Sequence, residues 1–201
     1  VSQGIPVLGM DPSLNNWGLA YGLYRPDTGE LTVKTVQVIQ PQYATGKQVR
    51  QNSKDLERAE ALFAGAMDAC KGAKAVFVEV PVGSQSARAM ASYGVCAGVL
   101  GSLRAAGVPF FEITPTEVKL ATVGNKTASK AQIIDRAIRY HPDANWPMQT
   151  KNGVVSPIAS KAEHMADAIG AIEAGVDLPQ FKQTIHFLTA AYNTHANKET
   201  Q

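Results

Sequence analysis

The sequence predicts an α/β fold with one five-stranded mixed sheet flanked by helices. Two observations carry this. Three strand-like runs open the chain, joined by turn signals, and beyond residue 48 helical and strand patterns alternate as α-β-α-β-α. Turn-linked runs pair antiparallel, whereas strand–helix–strand units demand parallel pairing through right-handed crossovers. A sheet that contains both is mixed.

Each element has its own warrant. Residues 5–10 (IPVLGM) are an apolar run ending at Asp11-Pro12-Ser13, a buried strand entering a turn. Residues 17–25 and 31–39 are two more strands, and Asp27-Thr28-Gly29 between them marks a hairpin, so the opening is a three-strand meander. Residues 40–47 read as a loop. A helical pattern spans about 48–71, with Leu56, Ala59, Leu62, Phe63, Ala66 and Met67 on one face. Residues 75–80 (AVFVEV) form a strand ended by Pro81, and 84–106 a long helix capped by Ser84 or Ser86. Residues 109–114 are another strand, followed by helices near 115–122, 129–140, 160–174 and 179–194. The stretch 141–158, with Pro142, Pro147, Gly153 and Pro157, reads as irregular. The whole is one domain, residues 1–201, with an extra C-terminal helix at 179–194 whose Phe181, Ile185, Phe187 and Leu188 suggest packing on the body.

Composition excludes several classes. Apolar residues make up 45% and charged residues 18%, a globular balance incompatible with wholesale disorder. No apolar run is long enough to span a bilayer and no leader is visible, so an intracellular, cytoplasmic protein is expected, bacterial or phage-encoded, with an organellar origin left open. Cys70 and Cys96 have no metal-type spacing and read as buried free thiols. A net charge of +2 excludes a strongly basic wrapper of nucleic acid but not a local basic face. Such a face is visible: Lys119, Lys126, Lys130, Arg136 and Arg139 stand against the single acid Asp135.

Three acidic residues and a histidine stand out. Asp11 emerges at the end of an apolar strand, where an Asp serves either as a turn former or as a functional carboxylate. Glu79 sits within AVFVEVP, and a glutamate in a central strand needs a cation or a basic partner; on an edge strand it would face water. His164 and Asp167 lie three apart on a helix of small apolar residues, which puts them on one face, as a metal-ligand pair or a surface hydrogen bond. Glu163, about 100° from His164 around the helix, reads as a surface residue. Together the four suit phosphodiester hydrolysis, in which two divalent ions roughly 3.5–4 Å apart activate water and stabilise the leaving oxygen. An oxygen-rich, partly open set suits Mg²⁺ or Mn²⁺. A different feature concerns assembly. Ala87, Ala91, Gly94, Gly98 and Gly101 line one stripe of the long helix, fit either for packing on the chain's own sheet or for a subunit interface.

The chain resembles the RuvC family of Holliday-junction resolvases, in particular its divergent phage-type members, from about Val7 to Ala174. Four segments carry the resemblance: LGMDPSLNNWGLA (8–20), VFVEVPVGSQSARAMASYGVCAGVL (76–100), the run from Thr114 to Gln132 with its VK and SKAQ motifs, and HMADAIGAI (164–172). The resemblance implies the RNase H-like fold and catalytic metal ligands at Asp11, Glu79, His164 and Asp167. It implies DNA-contacting lysines at Lys119 and Lys130, with Lys126 in the same basic segment. It further implies two Mg²⁺ ions per site, with Mn²⁺ able to substitute. The expected partner is four-way or branched DNA, cut by paired nicks in a homodimer joined through helix 84–106. One position departs from the pattern. Many members carry an aromatic three residues after the catalytic Glu, and here that residue is Val82. Strand separation and sequence preference are therefore not implied. An RNA-processing nuclease of the same fold and a junction-binding module without catalysis are the competing readings. A sugar-kinase-type phosphotransferase fits poorly, because DPSLNNWG lacks a Gly- and Thr-rich phosphate loop.

Overall fold

The computed structural model describes residues 4–44 and 50–196, the last eight as backbone alone. Residues 45–47 of the expected loop and 48–49 of the expected helix start lie outside the described residues. Strands β1 (Ile5–Asp11), β2 (Trp17–Arg25) and β3 (Glu30–Ile39) form the expected antiparallel meander. Helix α1 (Gln51–Ala69) crosses to β4 (Ala75–Glu79), and α2 (Ala87–Ala105) crosses to β5 (Phe111–Ile113). Both crossovers give parallel pairs, β1 with β4 and β4 with β5, so the sheet order is β3-β2-β1-β4-β5. Next come α3 (Pro115–Val123), α4 (Lys130–Tyr140), the hairpin β6 (Met148–Lys151) and β7 (Val154–Pro157), α5 (Ala159–Val176) and α6 (Pro179–Ala196).

Side chains alternate across each strand, so the two faces of the sheet carry different cores. Leu8, Met10, Val76 and Val78 face α1 and α2, where they meet Leu62, Ala66, Val99, Leu100 and Leu103. Val7 and Phe77 face the other way, onto α5 and Phe181 of α6. By the same alternation Asp11 shares the side of Val7, and Glu79 the side of Phe77. Both carboxylates therefore emerge on the face that α5 covers.

Several expectations need correction. Leu56 is exposed, because the buried face of α1 runs through Arg58, Leu62, Ala66 and Ala69 and Leu56 lies off it. The small-residue stripe does not pack on the chain's own sheet. Helix α2 buries Cys96, Val99, Leu100 and Leu103, which leaves Ala87, Ala91, Gly94, Gly98 and Gly101 exposed on the opposite side. The cap of α2 is Ser86, whose side chain accepts from Ala89 N. Cys70 is only half-buried, at the end of α1. The stretch 141–158 is not irregular throughout, since it contains the β6–β7 hairpin. In α6, Phe181 is buried and Ile185 packs on the core, but Phe187 and Leu188 face solvent.

Candidate active site

Strand register places the first two carboxylates. Met10 pairs with Val78 in the parallel β1–β4 ladder, so the next step brings Asp11 and Glu79 side by side at the strands' C-terminal ends. Strand β4 is interior, which removes the water-facing edge-strand reading of Glu79. Its Oε2 is buried without a hydrogen-bond partner among the described residues. Burial pushes the Glu79 carboxyl up to about 9, the charges of Asp11 and Asp167 push the same way, and Lys119 opposes them.

Helix α5 supplies the other two. It lies against the sheet closely enough that a Cβ on Gly9 would stand 1.9 Å from the Ala168 carbonyl oxygen, and one on Gly18 2.0 Å from that of His164. Only residues without a side chain allow that approach. Gly18 pairs with Asp11 across β1–β2, so this contact sets His164 over the C-terminal end of β1. His164 Nδ1 lies 2.5 Å from Asp11 Oδ2. The carboxylate of Asp11 is thus engaged by a distant helix and not by its own turn, and the partner of His164 is Asp11 and not Asp167. Burial works against a charged His164, but the Asp11 hydrogen bond and the surrounding carboxylates outweigh it and raise the imidazole above its ordinary value. Asp167 is pushed up to about 7, first by burial, then by Asp11 and Glu163, with His164 and Lys130 opposing.

Glu163 corrects the sequence reading. It lines the same cleft and forms an ion pair with Lys130. Its angle to His164 is about 100°, but its angle to Asp167, four residues on, is only about 40°. The i,i+4 spacing from Asp167 is the sequence signal that would have placed it with the site.

Asp11, Glu79, His164 and Asp167 all line one cleft of about 590 Å³, together with Lys119, Lys130, Val82 and Tyr93. Among the described residues, no three His, Cys, Asp or Glu side chains close on a common point as a metal-ligand group. Cys96 lies on the cleft wall with its thiol pushed up to about 12, mainly by burial and further by Asp11, so it stays a neutral thiol.

Lys119 is positioned by α3, whose start is a complete capping box between Thr114 and Glu117. Lys130 opens α4, which is capped the same way by Ser129 and Gln132. Arg136 pairs with Glu173 on α5 and Arg139 with Asp135, so these two cations are internally neutralised. Lys126 is exposed in the α3–α4 turn, away from the cleft lining.

No family model matches the chain. Among curated proteins, the crossover junction endodeoxyribonuclease RuvC of Anaeromyxobacter dehalogenans (strain 2CP-C) is 34% identical over 132 residues, which is 65% of this chain and 66% of that protein. RuvC of Anaeromyxobacter sp. (strain K) is 33% identical over the same coverage. This chain belongs to the RuvC family. The match spans just under two thirds of each of these RuvC proteins, at 66%. The RuvC fold extends further than the sequence match. Thermus thermophilus RuvC, solved in complex with a Holliday junction substrate, superposes with a TM-score of 0.59 at 21% identity, over 85% of this chain and 92% of that one. The yeast mitochondrial Holliday junction resolvase Ydc2 gives a TM-score of 0.57 at 14% identity, over 87% of this chain and 78% of its own. The five-stranded RNase H-like architecture expected for a RuvC-family chain is therefore the one observed.

Proposed function

We propose that this RuvC-family protein is a structure-selective endonuclease that resolves Holliday junctions and related branched DNA by metal-dependent phosphodiester hydrolysis. One observation carries the reading. Two adjacent parallel strands end in Asp11 and Glu79, and a glycine-permitted helix sets His164 and Asp167 into the same cleft.

The residues fit a divalent cation. Glu79 Oε2 is buried and unpartnered, and burial together with the neighbouring carboxylates makes Glu79 and Asp167 hold protons far above their ordinary range, so a bound cation would offset both causes. Asp11, Glu79, Asp167 and neutral His164 would hold two ions in an oxygen-rich set suited to Mg²⁺ with Mn²⁺ as substitute. Bound ions supply Lewis acidity to the scissile phosphate and ease deprotonation of the attacking water. The chain's own groups do the rest. Lys119 at the cleft attracts and orients the phosphate backbone, and Lys130 joins it by exchanging its Glu163 partner for phosphate. Asp11 fixes the His164 ring through Nδ1, which leaves Nε2 as the nitrogen that would hold an ion or, where no ion takes it, orient the attacking water. Lys126, on the neighbouring turn, extends the phosphate-binding surface.

The exposed stripe on α2 is the surface for a second copy, so that a homodimer presents two clefts for paired nicks. A DNA substrate places the protein in the cytoplasm or another DNA-bearing compartment, and no described helix is long and apolar enough to cross a membrane.

A substrate panel tests the reading. Four-way junctions, flaps, linear duplex and RNA–DNA hybrid are offered at equal concentration in Mg²⁺. The expected outcome is cleavage of the junction at least tenfold faster than of duplex. A preference for the RNA hybrid would assign the chain to RNA processing instead.

A further inference from the structure

The β6–β7 hairpin is a two-stranded sheet of its own, paired with no other strand among the described residues. Ribbons of this size are marginal in water unless something steadies them. Here both ends are steadied. Asn152 and Gly153 close the turn with successive positive φ angles of 51° and 78°, the geometry that suits the twist of a tight hairpin. At the base, Ile158 N donates to the Pro147 carbonyl at 2.8 Å. Just before it, Trp146 is buried and its indole N–H donates to the His141 carbonyl at 3.0 Å. Asn145 clasps edge strand β3, its Oδ1 accepting from Val36 N at 2.6 Å. The ribbon is a fixed projection, roughly 13 Å long at 3.3 Å per residue.

What it projects needs a partner. Met148, Val154 and Val155 are 48%, 65% and 63% exposed. Residues 144–162 contain no Asp or Glu, and they carry Lys151 and Lys161. The ribbon also runs directly into α5, and Ile158 precedes His164 by only about 9 Å of helix rise. It therefore stands beside the cleft, on the side where α5 begins.

We propose that this ribbon docks on DNA. It inserts along one arm of the branched substrate, with Met148 and Val155 on one face and Val154 and Lys151 on the other, so that both faces meet the groove walls and Lys151 reaches the phosphate backbone. DNA is the occupant the chemistry favours. The ribbon itself is acid-free and carries Lys151, it leads into α5, the helix whose Glu163, His164 and Asp167 line the cleft, and a two-stranded ribbon has the width a major groove admits. The proposal rests on the nuclease reading above.

The test uses binding, so that it does not depend on cleavage. Full-length Asp11→Asn protein is titrated with a labelled four-way junction between 50 and 200 mM salt, alone and with Lys151→Ala or with Val154→Ser and Val155→Ser together. All three side chains are exposed, and melting temperatures confirm that the variants fold. Lys151→Ala should weaken binding about three- to tenfold and make the slope of log K against log salt shallower by about one. The valine pair should weaken it about tenfold with the slope unchanged. Hydroxyl-radical protection should retreat from one arm in both. Junction affinity unchanged within twofold, with an unaltered footprint, overturns the proposal. So does a changed oligomeric state at constant DNA affinity, which would make the ribbon a protein interface. A parent protein that binds no junction defeats the nuclease reading itself, and the ribbon proposal falls with it.

Discussion

Burial without compensation is the central fact about Glu79 and Asp167. Their carboxyls sit at about 9 and about 7, against ordinary values of 4.5 and 3.8, so the folded chain holds protons that the unfolded chain would release. Their stabilising contribution is complete below the unfolded values and is lost as pH rises through 7 and 9. The raised His164 acts in the same direction. The melting temperature of metal-free protein should therefore fall steadily from pH 5 to pH 9, and Mg²⁺ should restore it at the alkaline end. Glu79→Gln should flatten that fall and raise the alkaline melting temperature by roughly 2–4 °C per kcal/mol relieved, while abolishing the response to Mg²⁺. Calorimetry across the pH range checks both. Loading should follow the same protons. Half-saturating Mg²⁺ for cleavage should drop as pH rises from 6 to 9, because His164, Asp167 and Glu79 must each lose a proton to bind. The meeting of Asp11, Glu79, His164 and Asp167 in one cleft was partly legible: a glutamate inside a valine strand and a His and Asp on one stripe of a small-residue helix break local rules, whereas Asp11 by itself reads equally as a turn former. Glu163 was hidden because it was compared with His164 alone and not with Asp167 one turn away.

Helix α5 converts those residues into a site, and it does so through glycine. Gly18→Ala would drive a methyl group into the His164 carbonyl, 2.0 Å from an ideal Cβ. Overpacking of this kind costs about 1–3 kcal/mol, and relief by shifting α5 moves His164 off Asp11. Gly18→Ala should therefore lower cleavage at saturating Mg²⁺ at least tenfold while leaving the junction dissociation constant within about threefold, as a filter-binding and rate comparison would show. The meander and crossovers were legible because β1 and β4 are short apolar runs bounded by turn signals and the longer segments between strands leave room for crossover helices. The β6–β7 hairpin was not. Its strands of four residues are too short to show alternation, and its Asn152-Gly153 turn sits among prolines that suggested irregular chain. The close approach of Gly9 and Gly18 was equally invisible, because a glycine in a strand announces a close contact without naming the partner.

At the scale of the molecule, a modest net charge of +2 conceals local order. Arg136 and Arg139 are spent in internal pairs, whereas Lys119 and Lys126 have no ion-pair partner among the described residues. The α2 stripe is the other large-scale feature. Nothing lies within 4 Å of an added Cβ at Gly94, Gly98 or Gly101, so larger side chains there leave the fold intact. Sedimentation should show a wild-type dimer that Gly98→Arg converts to a monomer with an undiminished melting temperature. A wild-type monomer at micromolar concentration would remove α2 as an interface. The sequence showed the stripe but not which way it faced, since that depends on which side of α2 meets the sheet. The most direct test of the whole account is cleavage of a labelled four-way DNA junction in Mg²⁺ and in EDTA, beside Asp11→Asn. The account predicts paired nicks that require the metal and vanish in the variant, which should still bind the junction. Binding without cutting by the wild type in both Mg²⁺ and Mn²⁺, or cutting that survives Asp11→Asn, would contradict it.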